Sequence, residues 1–287
     1  GQRVDDVRVG VAGASARLAD DIEREMLRPR TLAAEEVGKR TGIIGSIMGD
    51  PIDEAIEKAD RHVREVLEGG LGGNISAADH ATAAIANLRA RGLDAVADYA
   101  EVAVGIRAKL NEAATTAGLK DMVEHYFPRV LTLDGKKAVL QNTDDVAGKL
   151  GYSDAAISRG ELGFQKARSA DTAEMQLTEL NERFAQYVPD GGDFFEGDVI
   201  RAMKSRADHS YRAALLEKEL LDMSDEMVDG LPMVLRNATD KELKLANSGR
   251  EGIDQYVPLK TSGGTVHVPQ SVEKAFNEIN AVVINDA

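Results

Sequence analysis

Apolar positions three and four residues apart predict helices in the first part of the chain. The clearest helix start is Asp50-Pro51, because Asp50 can cap a helix and Pro51 suits its first turn, where an amide needs no partner. The apolar side chains of this helix share one face: Ile52, Ile56, Val63 and Leu67. The glycine-rich segment 69–73 should end the helix.

The next segment predicts two more helices. Ser76, with Asp79 three residues later, has the spacing of a helix cap, and Gly92 can adopt the left-handed conformation that closes the helix. A further helix is expected from Leu93 to about Thr116, where apolar residues recur at helical spacing in an Ala-rich stretch.

The pattern changes after Gly118. The residue before Pro128 is disfavoured in a helix, and Asp134-Gly135 is a strong turn dipeptide, so residues 129–140 are predicted to form a β-hairpin. A short helix should follow over residues 143–150, and another should begin at Ser169 or Asp171.

The last third of the chain predicts one long helix and a second hairpin. Apolar residues at three- and four-residue spacing extend from Glu196 to Leu221. Two Val-Pro segments flank residues 262–264 and predict a hairpin whose prolines occupy edge positions, with a closing helix from Ser271. The expected fold is mainly α, with helical subdomains and two small β-hairpins. We place a helical region at 1–120 and a hairpin-plus-helix region at 121–287.

Composition favours thin, helix-rich cores. Hydrophobic residues make up 43% of the chain, but alanine supplies much of that fraction and aromatic residues only 4%. The net charge of −14 opposes attraction to nucleic acid or anionic membranes. A local basic run on the long helix could still contact nucleic acid, although a solvated helix face is the simpler interpretation: Arg201, Lys204, Arg206 and Arg212.

Cysteine usage and the chain ends add limited information. With no cysteine, the sequence excludes disulfides and thiolate metal sites. It contains no apolar run of about 18 residues, so no transmembrane segment is predicted. Because the chain opens at Gly1 and ends at Ala287 without an obvious terminal cap, we expect a processed product or a piece of a longer protein.

Two glycine-containing segments are candidates for a nucleotide site. The segment Val7–Ala16 is typical of a strand running into a glycine turn at Gly10 and Gly13, but no second apolar strand ending in an acid follows it. Its apolar residues also suit one face of a helix. The segment Gly42–Asp50 lacks the Gly-Lys-Ser/Thr that a phosphate loop requires. We therefore predict no bound cofactor.

Metal-binding and catalytic patterns are also weak. The histidines have no spacing that places two ligands on one helical turn: His62, His80, His125, His209 and His267. Asp193, Glu196 and Asp198 could bind a hard cation, but they more simply complement the positive end of the helix that follows. We predict no metal site and no catalytic residues.

The most distinctive motif is Tyr126-Phe127-Pro128-Arg129. Nine of the twelve aromatic residues lie between Tyr126 and Tyr211. Because Pro128 restricts the chain direction, we expect Tyr126 and Phe127 to be buried and Arg129 to pair with an acid or cap a helix end. The alternative is that the aromatic pair is an exposed docking site.

The order of features after residue 120 resembles a group of tailed-bacteriophage virion proteins, typically large internal or head-associated polypeptides. The similar segments, in order, are Glu124–Arg129, Asp193–Asp198, Ile200–Ala207, Gln255–Leu259 and Val268–Val272. The resemblance covers about half the chain, and residues 1–120 share only helical character with the group.

This resemblance implies a non-enzymatic structural role in a phage particle, for example as an internal protein ejected with the genome. It implies other virion proteins as partners (portal, capsid or internal proteins), a homo-oligomer, and a location in the virion, with assembly in the host cytoplasm. Two alternatives remain: a nucleotide-dependent enzyme using the Gly10 and Gly13 turn, and a cellular helical scaffold or adaptor.

Overall fold

A computed structural model gives the structure of this protein, and confirms the predicted mainly α fold. It describes residues 2–41, 51–69, 75–116, 127–150, 175–189, 192–228, 230–248, 254–261 and 264–285. The chain divides into two compact units. Unit 1 comprises Gly1–Leu18, Leu110–Met122 and Ala207–Ala287, and unit 2 comprises Ala19–Lys109 and Val123–Arg206. Each unit therefore takes segments from both sides of the division placed at residue 120.

Helices occupy most of the described chain. The first four are α1 Gln2–Thr41, α2 Pro51–Glu68, α3 Ala77–Ala90 and α4 Asp94–Thr116. Next come α5 Leu133–Gln141, a π-helical turn at Thr143–Ala147, α6 Gly148–Leu150, and α7 Leu177–Phe184 with a 3₁₀ turn at Ala185–Tyr187. The remaining helices are α8 Val199–Arg206, a π-helical turn at Ala207–Tyr211, α9 Arg212–Met223, α10 Asp240–Asn247 and α11 Gln270–Asn285.

The residues predicted to begin and end α3 are confirmed. The Ser76 side chain accepts the Asp79 amide at the start of α3, and Gly92 adopts a φ of 70° at its end. Residue Glu36 of α1 accepts the amides of Asp94 and Val96, which open α4. One turn later, Arg40 donates to the carbonyls of Arg91 and Gly92. Two charges of α1 thus satisfy the backbone at both sides of the α3–α4 turn.

Helix α1 overturns the interpretation of Val7–Ala16 as a strand followed by a glycine turn. Gly10 and Gly13 both lie inside this helix. The helical face proposed as the other interpretation is present, because Val7 and Val11 are buried in unit 1 and Ile22 and Met26 are buried in unit 2. The apolar spacing outweighed the helix-weakening effect of the two glycines.

Unit 1 contains the small sheet. Strands β3 Leu235–Arg236, β4 Tyr256–Thr261 and β5 Gly264–Pro269 form an antiparallel sheet in the order β3-β5-β4. A separate antiparallel pair joins β1 Met227–Val228 to β2 Leu231–Pro232. The core beneath β4 and β5 includes residues of α1, α9 and α11: Val7, Val11, Leu216, Leu220, Met223, Leu259, Val266, Val268, Val272 and Phe276.

The β4–β5 pair confirms the predicted hairpin around residues 262–264. Its register pairs Thr261 with Gly264 and Leu259 with Val266. Pro258 lies in the outer strand β4, as expected. The edge position expected for Pro269 is wrong, because β5 is the central strand. Pro269 is its last residue, where a missing amide interrupts no continuing ladder.

The other predicted hairpin, over residues 129–140, is wrong. Helix α5 occupies Leu133–Gln141, and its N-terminal cap is Thr132, whose hydroxyl accepts the Gly135 amide. Leu131 forms only an isolated antiparallel bridge, with Phe195. The Asp-Gly turn signal was overridden because Thr132 caps a helix and Gly135 lies against another segment of backbone.

Unit 2 has a helical core in which α2 packs against α3 and α8. Its buried residues are largely small or aliphatic: Ala59, Val63, Val66, Leu67, Ala81, Ile85, Leu88, Val96, Ala97, Ala100, Ala103 and Ile106. The predicted apolar face of α2 is correct for Val63 and Leu67, which are fully buried. It is wrong for Ile52, which is 63% exposed.

Candidate functional site

The buried face of α2 carries three charged residues at four-residue spacing. Asp60, Arg64 and Glu68 are only 1%, 8% and 2% exposed. Residues four apart lie above one another on a helix, so these three form one row, which we call the charged ladder. Charged side chains are rarely this buried unless they are paired. The partners of the ladder therefore define the principal polar site of unit 2.

Asp60 accepts four hydrogen bonds. Its Oδ1 accepts Arg30 Nε at 3.1 Å and the Tyr99 hydroxyl at 2.9 Å. Its Oδ2 accepts Arg30 Nη2 at 2.6 Å and the Val199 amide at 3.3 Å. One carboxylate thereby joins α1, α2, α4 and the start of α8.

A second carboxylate, that of Asp198, binds the same guanidinium. Arg30 Nη2 donates to Asp198 Oδ2 at 2.8 Å. Asp198 also accepts the Arg201 amide at 2.9 Å, which makes it the N-terminal cap of α8. We call Arg30, Asp60, Tyr99 and Asp198 the Asp60 cluster. It contains one positive and two negative groups when all the carboxyls are ionised.

Burial dominates the electrostatics of the Asp60 cluster. Burial raises the pKa of Asp60, while the Arg30 guanidinium opposes this shift. Burial also raises the pKa of the Tyr99 phenol, and the neighbouring Asp60 carboxylate reinforces the effect, so Tyr99 keeps its proton and acts as a donor. Burial lowers the pKa of Arg30, but the Asp60 and Asp198 carboxylates outweigh it and the net pKa is raised.

The other two ladder residues bind backbone groups of the 175–199 region. Arg64 Nη1 donates to the Gly197 carbonyl, immediately before α8. Glu68 Oε2 accepts the Leu177 amide at 3.0 Å, at the start of α7. A Cβ atom at Gly197 would lie 3.1 Å from Arg64 Nη1, so glycine gives the arginine room to approach.

The geometry of the Asp60 cluster suits an internal connection rather than contact with a substrate. Asp60 is 1% and Tyr99 0% exposed, so neither functional group meets solvent. Arg30 and Asp198 are more accessible, with side chains 14% and 20% exposed, but they bind each other. The sequence signal for this site is the spacing of residues 60, 64 and 68, which our sequence analysis overlooked.

The structure describes three residues of the predicted Tyr126–Arg129 motif. Tyr126 lies outside the described residues. Phe127 is fully buried, as expected, and Pro128 is buried as well. Arg129 is also fully buried, and its Nη2 donates to the Met175 carbonyl at 2.8 Å. The burial of Phe127 favours a structural role for this residue over the exposed docking site that was the alternative.

The chain after this motif pairs with the second aromatic motif, Asp193–Asp198. The Thr132 amide donates to the Phe194 carbonyl at 3.1 Å, and the Glu196 amide donates to the Val130 carbonyl at 2.8 Å. Between these two hydrogen bonds lies the bridge from Leu131 to Phe195. We call the pairing of residues 130–132 with 194–196 the aromatic junction. The sequence shows the second motif and the segment that follows the first motif, but not the pairing between them.

Aromatic packing and an amide side chain stabilise the aromatic junction. The Phe194 ring lies 5.1 Å from both the Phe184 ring and the Phe195 ring, measured between centroids. Asn181 Oδ1 accepts the Phe195 amide at 2.7 Å, and its Nδ2 donates to the Phe195 carbonyl at 3.2 Å. The Asn181 side chain thus takes the place of a neighbouring strand for this one residue.

The basic run of the long helix does not form a continuous exposed surface. Arg201 is exposed but lies within 3.7 Å of Glu196 and 3.9 Å of Asp198. Lys204 pairs with Glu23, and Arg206 is fully buried. In unit 1, Arg212 donates to the Ser15 hydroxyl and lies near Asp208. Acidic or interior surroundings therefore account for all four basic residues.

The remaining candidate residues are dispersed. His62 lies 3.4 Å from Glu65, the His80 ring fills the space that a Cβ atom at Gly69 would occupy, and His267 is in β5. The His209 side chain, His125 and the segment 42–50 lie outside the described parts of the structure. Glu196 accepts the Asp198 amide, which supports the helix-end interpretation of the acidic group. Across the described ranges, no group of three or more His, Cys, Asp or Glu residues could hold a metal ion.

Comparisons with known proteins found no match to a family model, to a curated protein or to a solved structure. Within the described residues, none of the helices is both long and apolar enough to cross a membrane. A surface pocket of about 460 Å³ lies along α10, and all its lining residues come from that helix and its end: Asp240, Leu243, Lys244, Asn247 and Ser248.

Proposed function

We propose that this protein is a non-enzymatic structural component of a tailed-phage virion, present in several copies or as a segment of a larger virion polypeptide. Its partners are other virion proteins, such as portal, capsid or internal proteins, and further copies of itself. On this proposal it resides in the virion after assembly in the host cytoplasm. A role as an internal protein ejected with the genome is one form of the proposal.

The aromatic junction is the observation that carries the proposal. The resemblance to virion proteins rests on the order of short motifs, and residues 130–132, directly after the first motif, pair with residues 194–196 of the second motif. Segments that pair with each other constrain one another's sequence. The second motif therefore lies beside the segment that follows the first motif in unit 2, and this pairing is the structural feature on which the proposal rests.

The polar site also supports a structural role. The Asp60 cluster is enclosed, and its donors and acceptors connect helices to one another instead of converging on an open cavity. Closely packed alanine on α2, α3 and α4 leaves little aromatic mass in that part of unit 2. Such thin cores gain stability when neighbouring subunits bury additional surface.

The proposal is tested by locating the protein during infection. Particles should be purified by density gradient from a strain that carries the gene, and their proteins should be identified and quantified by mass spectrometry. We expect the chain to co-sediment with capsid protein at a fixed copy number. A matched lysate from which particles have been removed serves as the control.

Two outcomes would contradict the proposal. Detection of the chain in the particle-free lysate together with its absence from purified particles would exclude a virion component. Expression in cells that produce no particles, with stable cellular partners, would favour the alternative of a cellular scaffold or adaptor. A loss of infectivity in a gene deletion, restored by the expressed chain, would further support the virion role.

A further inference from the structure

The three charges of the ladder alternate in sign along α2, and their partners alternate in the same way. Asp60 meets the Val199 amide, Arg64 meets the Gly197 carbonyl, and Glu68 meets the Leu177 amide. Each acid therefore faces a backbone donor, and the base between them faces a backbone acceptor. This correspondence extends over two turns of the helix.

If α2 were displaced by one turn, a ladder residue that still reached one of these backbone groups would meet a group of the wrong kind. In one direction Arg64 would face the Val199 amide and Glu68 the Gly197 carbonyl. In the other direction Asp60 would face the Gly197 carbonyl and Arg64 the Leu177 amide. Donors would then meet donors, and acceptors would meet acceptors, inside the protein. A buried charge that faces a backbone group of the wrong kind has no partner, which is strongly unfavourable inside a protein.

The apolar contacts of α2 distinguish these registers less sharply than the charges do. The buried row next to the ladder is Ala55, Ala59, Val63 and Leu67, which are all apolar. A displacement by one turn would still place apolar side chains of this row against an apolar interior. Burial of apolar surface is non-directional, whereas the contacts of a buried charge depend on its sign.

We propose that the charged ladder selects the register of α2 against the 175–199 region, by making one-turn displacements electrostatically unfavourable. The ladder thus specifies which arrangement forms, in addition to any effect it has on stability. This inference is independent of the virion proposal, because it concerns only contacts within unit 2. It identifies Asp60, Arg64 and Glu68 as positioning residues.

The test replaces the charged groups by neutral amides, which match the two acids in shape and are shorter than the arginine. Asn and Gln can present either an oxygen or an NH₂ group, so they can pair in more than one register. The test variant is Asp60→Asn, Arg64→Gln and Glu68→Gln. The same helix supplies a matched control with the same order of acid, base and acid on its exposed face: Glu57→Gln, Arg61→Gln and Glu65→Gln.

The register can be measured as a distance between two spin labels. Because the chain has no cysteine, labels attach only at introduced sites, and Glu54→Cys on α2 and Glu182→Cys on α7 are both at exposed positions. Electron paramagnetic resonance should give one narrow distance in the parent and in the control. In the test variant we expect a second population, displaced by up to about 5.4 Å, the pitch of a helix.

Circular dichroism shows which variants fold, and distances are compared only among the folded variants. If the triple variant does not fold, the two double variants that include Arg64→Gln replace it. In these variants we expect the same second distance, with a smaller population. A single narrow distance in every folded ladder variant overturns the proposal. Failure of all ladder variants to fold while the control folds also overturns it, because the charges would then support folding itself rather than choose between registers.

Discussion

Substitution of Gly135 by alanine tests the close approach on which the aromatic junction depends. Gly135 lies in the first turn of α5, and a Cβ atom built on it would lie only 2.2 Å from the Phe194 carbonyl oxygen. The same oxygen accepts the Thr132 amide at 3.1 Å and the Thr132 hydroxyl at 3.3 Å. Either the helix or the strand segment must move, and movement of either disturbs both hydrogen bonds.

The expected loss of stability can be worked from these contacts. Ordinary carbon contacts lie at about 3.5–4.0 Å, so a shift of more than about 1 Å is required. Overpacking strain costs about 1–3 kcal/mol, and each hydrogen bond lost costs about 1 kcal/mol. The better helix propensity of alanine returns up to about 1 kcal/mol. We therefore expect Gly135→Ala to lower the free energy of unfolding by about 3 kcal/mol.

A second glycine of unit 2 provides the control. Gly105 lies in α4, is exposed, and has no atom within 4 Å of a Cβ built on it. Gly105→Ala should raise stability by about 0.5–1 kcal/mol, since only the flexibility of glycine in a helix is removed. Urea unfolding followed by circular dichroism measures both variants against the parent. The reasoning is refuted if Gly135→Ala is as stable as the parent, or if Gly105→Ala loses as much stability.

Three further substitutions address other contacts. Phe127→Ala should cost about 3–5 kcal/mol in urea unfolding, because it removes a fully buried aromatic ring; an unchanged melting temperature combined with weaker particle assembly would instead assign the motif to a docking surface. Asn181→Ala should cost about 1–3 kcal/mol by leaving both backbone groups of Phe195 without their amide partner, and protection of the Phe195 amide from hydrogen exchange should fall; unchanged protection would count against this. Hydrogen bonds from the backbone and hydroxyl of Thr239 lower the pKa of Glu242 below its ordinary value of 4.5. The stability that Glu242 provides is therefore complete above that ordinary pKa and disappears as pH falls through the lower pKa of the folded state. Glu242→Gln should remove this dependence, so melting temperatures of parent and variant should converge on acidification, and a constant difference from pH 7 to pH 2 would contradict the assignment.

Local signals in the sequence determined several elements because their physical causes lie within a few residues. The Ser76 cap and the left-handed Gly92 bound α3 as predicted, since a side-chain cap and a positive φ are satisfied by the nearest backbone. The β4–β5 hairpin formed where its turn residues and Val-Pro segments indicated. The burial of Phe127 also followed from local composition and the neighbouring proline.

Other features depended on contacts between distant residues, and only the tertiary structure decided them. The pair Asp134-Gly135 has the sequence of a hairpin turn, yet Gly135 lies in a helix, where its missing side chain lets the helix approach the Phe194 carbonyl. Ile52 shares the apolar spacing of α2 and is nevertheless exposed, while Asp60 on the same helix is buried. Burial of an acid is acceptable only where donors surround it, and those donors come from Arg30, Tyr99 and Val199.

The candidate site also combines features that the sequence shows with contacts that only the tertiary structure shows. The sequence by itself contained the spacing of Asp60, Arg64 and Glu68, and it contained the Asp193–Asp198 motif that forms one side of the aromatic junction. It did not show which groups pair with the ladder, because Leu177, Gly197 and Val199 lie more than a hundred positions along the chain from their ladder partners and meet them only after the helices pack. Periodicity records which side chains share a face of one helix. Which groups that face meets is set by the packing of the whole unit, and for buried charges that packing determines whether the arrangement is stable.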